Sequence, residues 1–134
     1  MDEDYISAES VYDRTLGKKQ SEINIVNEGN LAVYDGRVEF ISGYNSIVKK
    51  QGNIVCISFF VRTLKQLAAT DNALFTIPTE YRPVSTTCIG TAMNAGTFVP
   101  YQLIVGTNGY VNVIHTATTI ASGQYLTGFI TYII

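Results

Sequence analysis

From Arg37 to the end of the chain, short apolar runs of period two alternate with clusters of Gly, Asn and Pro, a rhythm that suits antiparallel β-structure and little else. Arg37 to Val48 alternates, with Val38, Phe40, Tyr44 and Val48 on one face. Lys49-Lys50-Gln51-Gly52-Asn53 reads as a turn, and Ile54 to Thr63 places Val55, Ile57, Phe59 and Val61 together. This pair predicts a hairpin. The opposite face of the second strand carries Ile54, Cys56 and Phe60, which predicts a central strand covered on both sides. Ala73 to Ile77 is a short run stopped by Pro78, and Pro78 to Pro83 is a stiff corner. Val84 to Gly90 and Thr97 to Val105 follow, separated by Asn94-Ala95-Gly96. Asn108-Gly109 has the composition of a type I′ hairpin turn; Tyr110 to His115 returns from it, and Gln124 to Ile134 closes the chain. About seven strands at such spacing predict an all-β fold, an antiparallel two-sheet β-sandwich of jelly-roll type.

Segment 1–30 reads differently. Leu16, Ile23 and Val26 fall on one helical stripe with Gly29 as a stop, too short a stripe to fold alone. Three readings stay open: a helix laid on the body of the chain, a three-stranded helical collar joining it to a longer fibre, or disorder. The expected division is a linker or trimerisation segment at 1–30, helical or extended, and a β-sandwich head at 31–134. With 134 residues, 46% of them hydrophobic, the chain has the material for one core.

Charge is distributed unevenly. Residues 1–50 hold nine acids and six bases, residues 51–134 two and three, and the 52 residues after Arg82 contain no Asp, Glu, Lys or Arg. A monomer ordinarily covers its outside with these residues, so much of this half is expected to face a partner or to present a neutral polar surface. The closing strand points the same way. Leu126, Gly128, Ile130, Tyr132 and Ile134 occupy one face and Tyr125, Thr127, Phe129, Thr131 and Ile133 the other, and neither reads as a solvent face. One face is expected to close the core and the other to meet a second subunit. Leu16, Ile23, Val26, Phe129, Ile130, Tyr132 and Ile134 are the expected oligomer contacts.

Candidate chemistry is sparse. His115 is the one histidine, and only Asp71 and Glu80 supply carboxylates after residue 50. A general base needs an orienting partner and a nucleophile, and glycan hydrolysis needs paired carboxylates at controlled separation; nothing recommends these three for either task, and no enzyme is expected. Cys56 and Cys88 lack metal or redox spacing and are expected to be buried thiols. No cofactor or metal is expected. The basic pairs Lys18-Lys19 and Lys49-Lys50 are too few to neutralise a nucleic-acid backbone, and no apolar run is long enough to cross a bilayer. The acidic start Met1-Asp2-Glu3-Asp4 is unlike a secretory signal. Tyr101, Tyr110, Asn94, Asn108 and Gln102 gather around two turns, and neutral aromatic and amide groups suit sugars, which offer apolar ring faces and hydroxyl rims. With Arg82 as an anchor for an acidic or hydroxyl-rich ligand, these are the expected ligand contacts. Their ordinary alternative is a set of turn residues at a subunit seam.

The order of several segments resembles the C-terminal tip domains of phage tail fibres and baseplate receptor-binding proteins. The segments are Val48-Lys49-Lys50-Gln51-Gly52-Asn53-Ile54-Val55, the corner Ile77-Pro78-Thr79-Glu80-Tyr81-Arg82-Pro83, the return Gly109-Tyr110-Val111, and the aromatic strand Gly123 to Ile134. Val11 to Asn24 resembles the junction upstream of such tips. The resemblance implies a homotrimeric jelly-roll head that binds a host-surface saccharide or protein without changing it. It also implies a place in the virion tail, outside the host, after synthesis in the bacterial cytoplasm without a signal peptide. The rival readings are a purely structural fibre or baseplate module, and a trimeric bacterial surface domain like tumour necrosis factor or complement.

Overall fold

A computed structural model describes residues 25–69, 72–85, 87–114 and 119–134. The described residues form an all-β fold of ten strands: β1 (Val26–Gly29), β2 (Ala32–Val33), β3 (Val38–Phe40), β4 (Ile47–Gln51), β5 (Ile54–Thr63), β6 (Asn72–Thr76), β7 (Cys88–Asn94), β8 (Pro100–Val105), β9 (Tyr110–Ile114) and β10 (Tyr125–Ile133). All pairings are antiparallel, in the order β1-β4-β5-β10-β7-β8-β9-β6-β2, with β3 beside β5. The expected sandwich is therefore built from one sheet curled on itself. Phe59 of β5 meets Phe75 of β6 edge-on at 5.2 Å across the interior, which brings the two halves of the sheet together.

Between β10 and β7, Gly128 pairs with Ala92. A Cβ on Gly128 would lie 2.9 Å from the Thr91 carbonyl oxygen and 3.0 Å from the Ala92 Cα, and one on Gly90 2.8 Å from the Ile130 Cβ. Small residues here let the two strands and the Ile130 side chain approach closely where bulkier ones would hold them apart.

The expected strand Arg37 to Val48 is split. β3 and β4 both lie along one edge of β5, and between them 41–46 leaves the ladder, with Gly43 at φ +87°. The Ser46 hydroxyl keeps the gap bonded by accepting from the Phe60 amide at 3.0 Å. Tyr44 is consequently exposed rather than part of the core face. The inner face of β5 is as expected, with Val55, Ile57, Phe59 and Val61 buried. Its outer face is not covered: Ile54 and Cys56 are exposed and Phe60 half-buried, so β5 has solvent access on one side.

Val26 corrects the helical stripe, because it lies in β1 opposite Gln51 of β4. The sheet thus takes in the last residues of segment 1–30. Leu16 and Ile23 lie outside the described residues, as do Asp71 and His115. The hairpin after β8 also differs from expectation: Gly109 has φ +85° while Asn108 keeps an ordinary negative φ, which excludes a type I′ turn. The Asn108 side chain instead accepts from the Tyr110 amide at 3.1 Å. Finally, Cys56 is exposed, 3.4 Å from the Thr131 hydroxyl, and Cys88 is half-buried, its thiol pushed upward in pKa by burial. Neither is the fully buried thiol expected.

Candidate receptor-contact surfaces

β10 decides which residues can meet a partner. Its inner face, Leu126, Ile130 and Tyr132, is buried in the core, and Ile134 packs against that core. Tyr132 donates to the Tyr81 carbonyl at 2.5 Å, and burial raises its phenol above the usual range. Ile130, Tyr132 and Ile134 are therefore core residues and not the expected contacts. The outward residues are Phe129, 69% exposed, and Ile133, 75% exposed, together with Tyr125 and Thr131. Of the expected last-strand contacts, Phe129 alone is outward.

The register extends this face sideways. Phe129 stands beside Ser58 on one side and Thr91 on the other, Thr127 beside Phe60, and Ile133 beside Ile54. Tyr44 packs on Phe60 with ring centroids at 5.6 Å, and Phe60 on Tyr125 at 6.0 Å. Between Tyr44, Met93 and Phe129 lies a groove of about 200 Å³ floored by Thr127, Gly128 and Ala92. The strip is uncharged until its rims: Lys49 and Glu28 face each other at 3.9 Å on β4 and β1, and Arg62 is held by Glu39 at 2.6 Å at the end of β5. Exposed apolar surface of this extent ordinarily marks a contact with something else.

The expected ligand residues do not form one site. Arg82, Asn108 and Tyr110 come together at the β8–β9 turn. The Arg82 side chain lies under Gly109, occupying the space a Cβ would need there, and its Nε donates to the Ile77 carbonyl at 3.0 Å. Tyr110 packs on Tyr34 at 5.3 Å, and Arg37 sits over the Tyr34 ring at 5.0 Å from its centroid. Tyr101 packs against the core, and Gln102 is exposed further along β8. Asn94 is buried and holds a turn: its Oδ1 accepts from the Gly96 and Thr97 amides at 2.9 and 3.1 Å, and its Nδ2 donates to Gln124 at 2.9 Å. A side chain so engaged is not free for a ligand.

Position along the sheet separates these places. At one end lie the start of β1, the β4–β5 turn and the chain's last residue, whose amide donates to the Asn53 carbonyl. The β8–β9 turn shares that end, because β7 and β8 run from Cys88 opposite Val105. At the far end, about 30 Å away along the ten residues of β5, are Thr63, Tyr125 and the loop 95–99. The sequence singles out the turn at Asn94-Ala95-Gly96 through Asn94, but neither Phe98, which the pattern places at the start of a strand, nor the groove lined by Tyr44 and Met93; no local signal gives the Phe98 backbone angle.

No protein-family model matches the chain, and no curated protein matches it by sequence. Solved structures do match. One is the head domain of the lactococcal phage bIL170, from work on a common fold for the receptor-binding domains of lactococcal phages. It is 12% identical, with a TM-score of 0.62 over 82% of this chain and 99% of that one. The chain has the fold of a phage receptor-binding head domain.

Proposed function

We propose that this chain is a non-enzymatic receptor-binding head of a phage tail fibre or baseplate, carried at the virion tail, and that it binds a host-surface saccharide as a homotrimer. The fold it shares with the bIL170 head domain carries the reading. The exposed apolar face of β5, β10 and β7 supports self-association, since an isolated protomer would leave Phe129, Ile133 and Ile54 open to water. The non-enzymatic part draws on the same neighbour. No helix among the described residues is long and apolar enough to cross a membrane.

The test is binding of the fluorescently labelled chain to a broad panel of bacterial strains, with sedimentation velocity on the same preparation. The expected result is a trimer that binds a subset of strains, with binding competed by their soluble polysaccharide. A trimer silent across the panel would favour the purely structural module, and binding lost after protease treatment of the cells would replace the saccharide by a protein.

A further inference from the structure

We propose that loop 95–99, between β7 and β8, is the tip that touches the receptor, with Phe98 as an aromatic platform for a neutral saccharide. The inference rests on the receptor-binding reading above. Phe98 is 74% exposed and holds φ at +62°, a region that a bulky side chain rarely adopts. Backbone strain at an exposed aromatic persists only where the surroundings impose it, and here they do. The Phe98 amide donates to the Asn94 carbonyl at 2.7 Å, and the Asn94 amide donates to the Val99 carbonyl at 2.9 Å. The Asn94 side chain binds the Gly96 and Thr97 amides, and the Ala95 amide donates to the Tyr125 carbonyl at 2.8 Å. The loop is thus set before any ligand arrives, which lowers the ordering cost of binding.

Its place and surroundings select the ligand. The loop lies at the end of the sheet farthest from the start of β1, where a head joined to a fibre through its N-terminal side would meet a surface. Among the described residues, Thr97 and Val99 of the loop and the Gln124 and Tyr125 it bonds to are neutral, and Arg62, opposite Tyr125, gives its Nε and Nη2 to Glu39 at 2.9 and 2.6 Å. An anionic ligand would have to compete with that pair. A protein partner of ordinary affinity covers about 800 Å² on each side, more than one phenyl ring and Val99 present. A sugar ring, with an apolar C–H face for Phe98 and a hydroxyl for Thr97, matches both the size and the neutrality.

Phe98→Gly tests this cleanly, because glycine accepts positive φ without strain and removes only the ring. The probes are neutral cell-wall polysaccharide and anionic teichoic acid from a strain that the unsubstituted chain binds, measured by calorimetry alongside thermal melting. Phe98→Gly is expected to melt at or above the unsubstituted chain and to bind the neutral polysaccharide about tenfold or more weakly, while Phe98→Tyr keeps its affinity. Unchanged affinity of Phe98→Gly, an equal loss in Phe98→Tyr, or preference for teichoic acid overturns the proposal while leaving the receptor-binding reading intact. Failure of the unsubstituted chain to bind any strain overturns both.

Discussion

Phe129 and Ile130 are neighbours on β10, yet substituting them should damage different things. Fully burying a Phe side chain contributes about 1.5–3 kcal/mol, so covering the 69% of Phe129 that is open contributes about 1–2 kcal/mol per protomer. Over three protomers that is about 3–6 kcal/mol. At about 1.4 kcal/mol per factor of ten, and with the midpoint concentration of a trimer varying as the square root of its dissociation constant, Phe129→Ser should raise that midpoint roughly tenfold to a hundredfold. Folding of the protomer should change little, because the outward position costs at most about 1 kcal/mol of strand preference. Ile130→Asp places a carboxylate at a site only 3% exposed and should abolish the folded state instead. Sedimentation velocity over a dilution series, with circular-dichroism melts of both variants, separates the two effects. Sedimentation of Phe129→Ser identical to the unsubstituted chain at every concentration would refute the seam, as would an unsubstituted monomer of 14.7 kDa throughout. A normal melt for Ile130→Asp would refute the facing of β10.

Further outcomes follow from the packing. Gly128→Ala puts a methyl against the backbone of Thr91 and Ala92, which cannot move aside as a side chain could, and should lower the unfolding free energy in urea by about 1–3 kcal/mol. Tyr132→Phe loses the bond to the Tyr81 carbonyl, a cost of about 1 kcal/mol. Because burial raises the folded-state pKa of Tyr132 above the ordinary value of 10.0, the unfolded chain ionises first; its contribution to stability is complete below pH 10 and declines as pH rises further, and Tyr132→Phe should flatten that alkaline decline in Tm. Iodoacetamide, followed by mass spectrometry, should label Cys56 faster than Cys88, whose thiol burial holds less ionised. Dilution below the assembly midpoint should speed the labelling of Cys56, which lies on the face assigned to the seam.

The interior was legible because a strand's side chains alternate strictly. Val55, Ile57, Phe59 and Val61 had to share a face, and once that face was the core, so did Leu126, Ile130 and Tyr132 opposite them. What the pattern could not tell was whether the other face was covered. Ile54, Cys56 and Phe60 look as buried in the sequence as their neighbours do, and only the absence of a second layer over β5 among the described residues distinguishes them. The same ambiguity put Ile130, Tyr132 and Ile134 among the expected contacts, where the register leaves Phe129. The neutral ligand set is dispersed for a different reason. Asn94 and Asn108 are side chains that a turn consumes, and sequence reports that a turn is polar without reporting how many of its polar groups remain free.

That distinction separates the two ends of the molecule. At the β8–β9 turn, Arg82 fills the space beneath Gly109 and Asn108 bonds the Tyr110 amide, so the polar groups there serve the turn itself. At the far end Asn94 is equally engaged, but its engagement sets the backbone of loop 95–99 and leaves the Phe98 ring outside. Asn94→Ala should consequently release the Gly96 and Thr97 amides to faster hydrogen exchange and weaken saccharide binding through the loop, even though Asn94 itself touches no ligand. If exchange accelerated while binding stayed unchanged, the fixed geometry of the loop would be irrelevant to recognition, and the role assigned to Phe98 would have to be carried by its hydrophobic area alone.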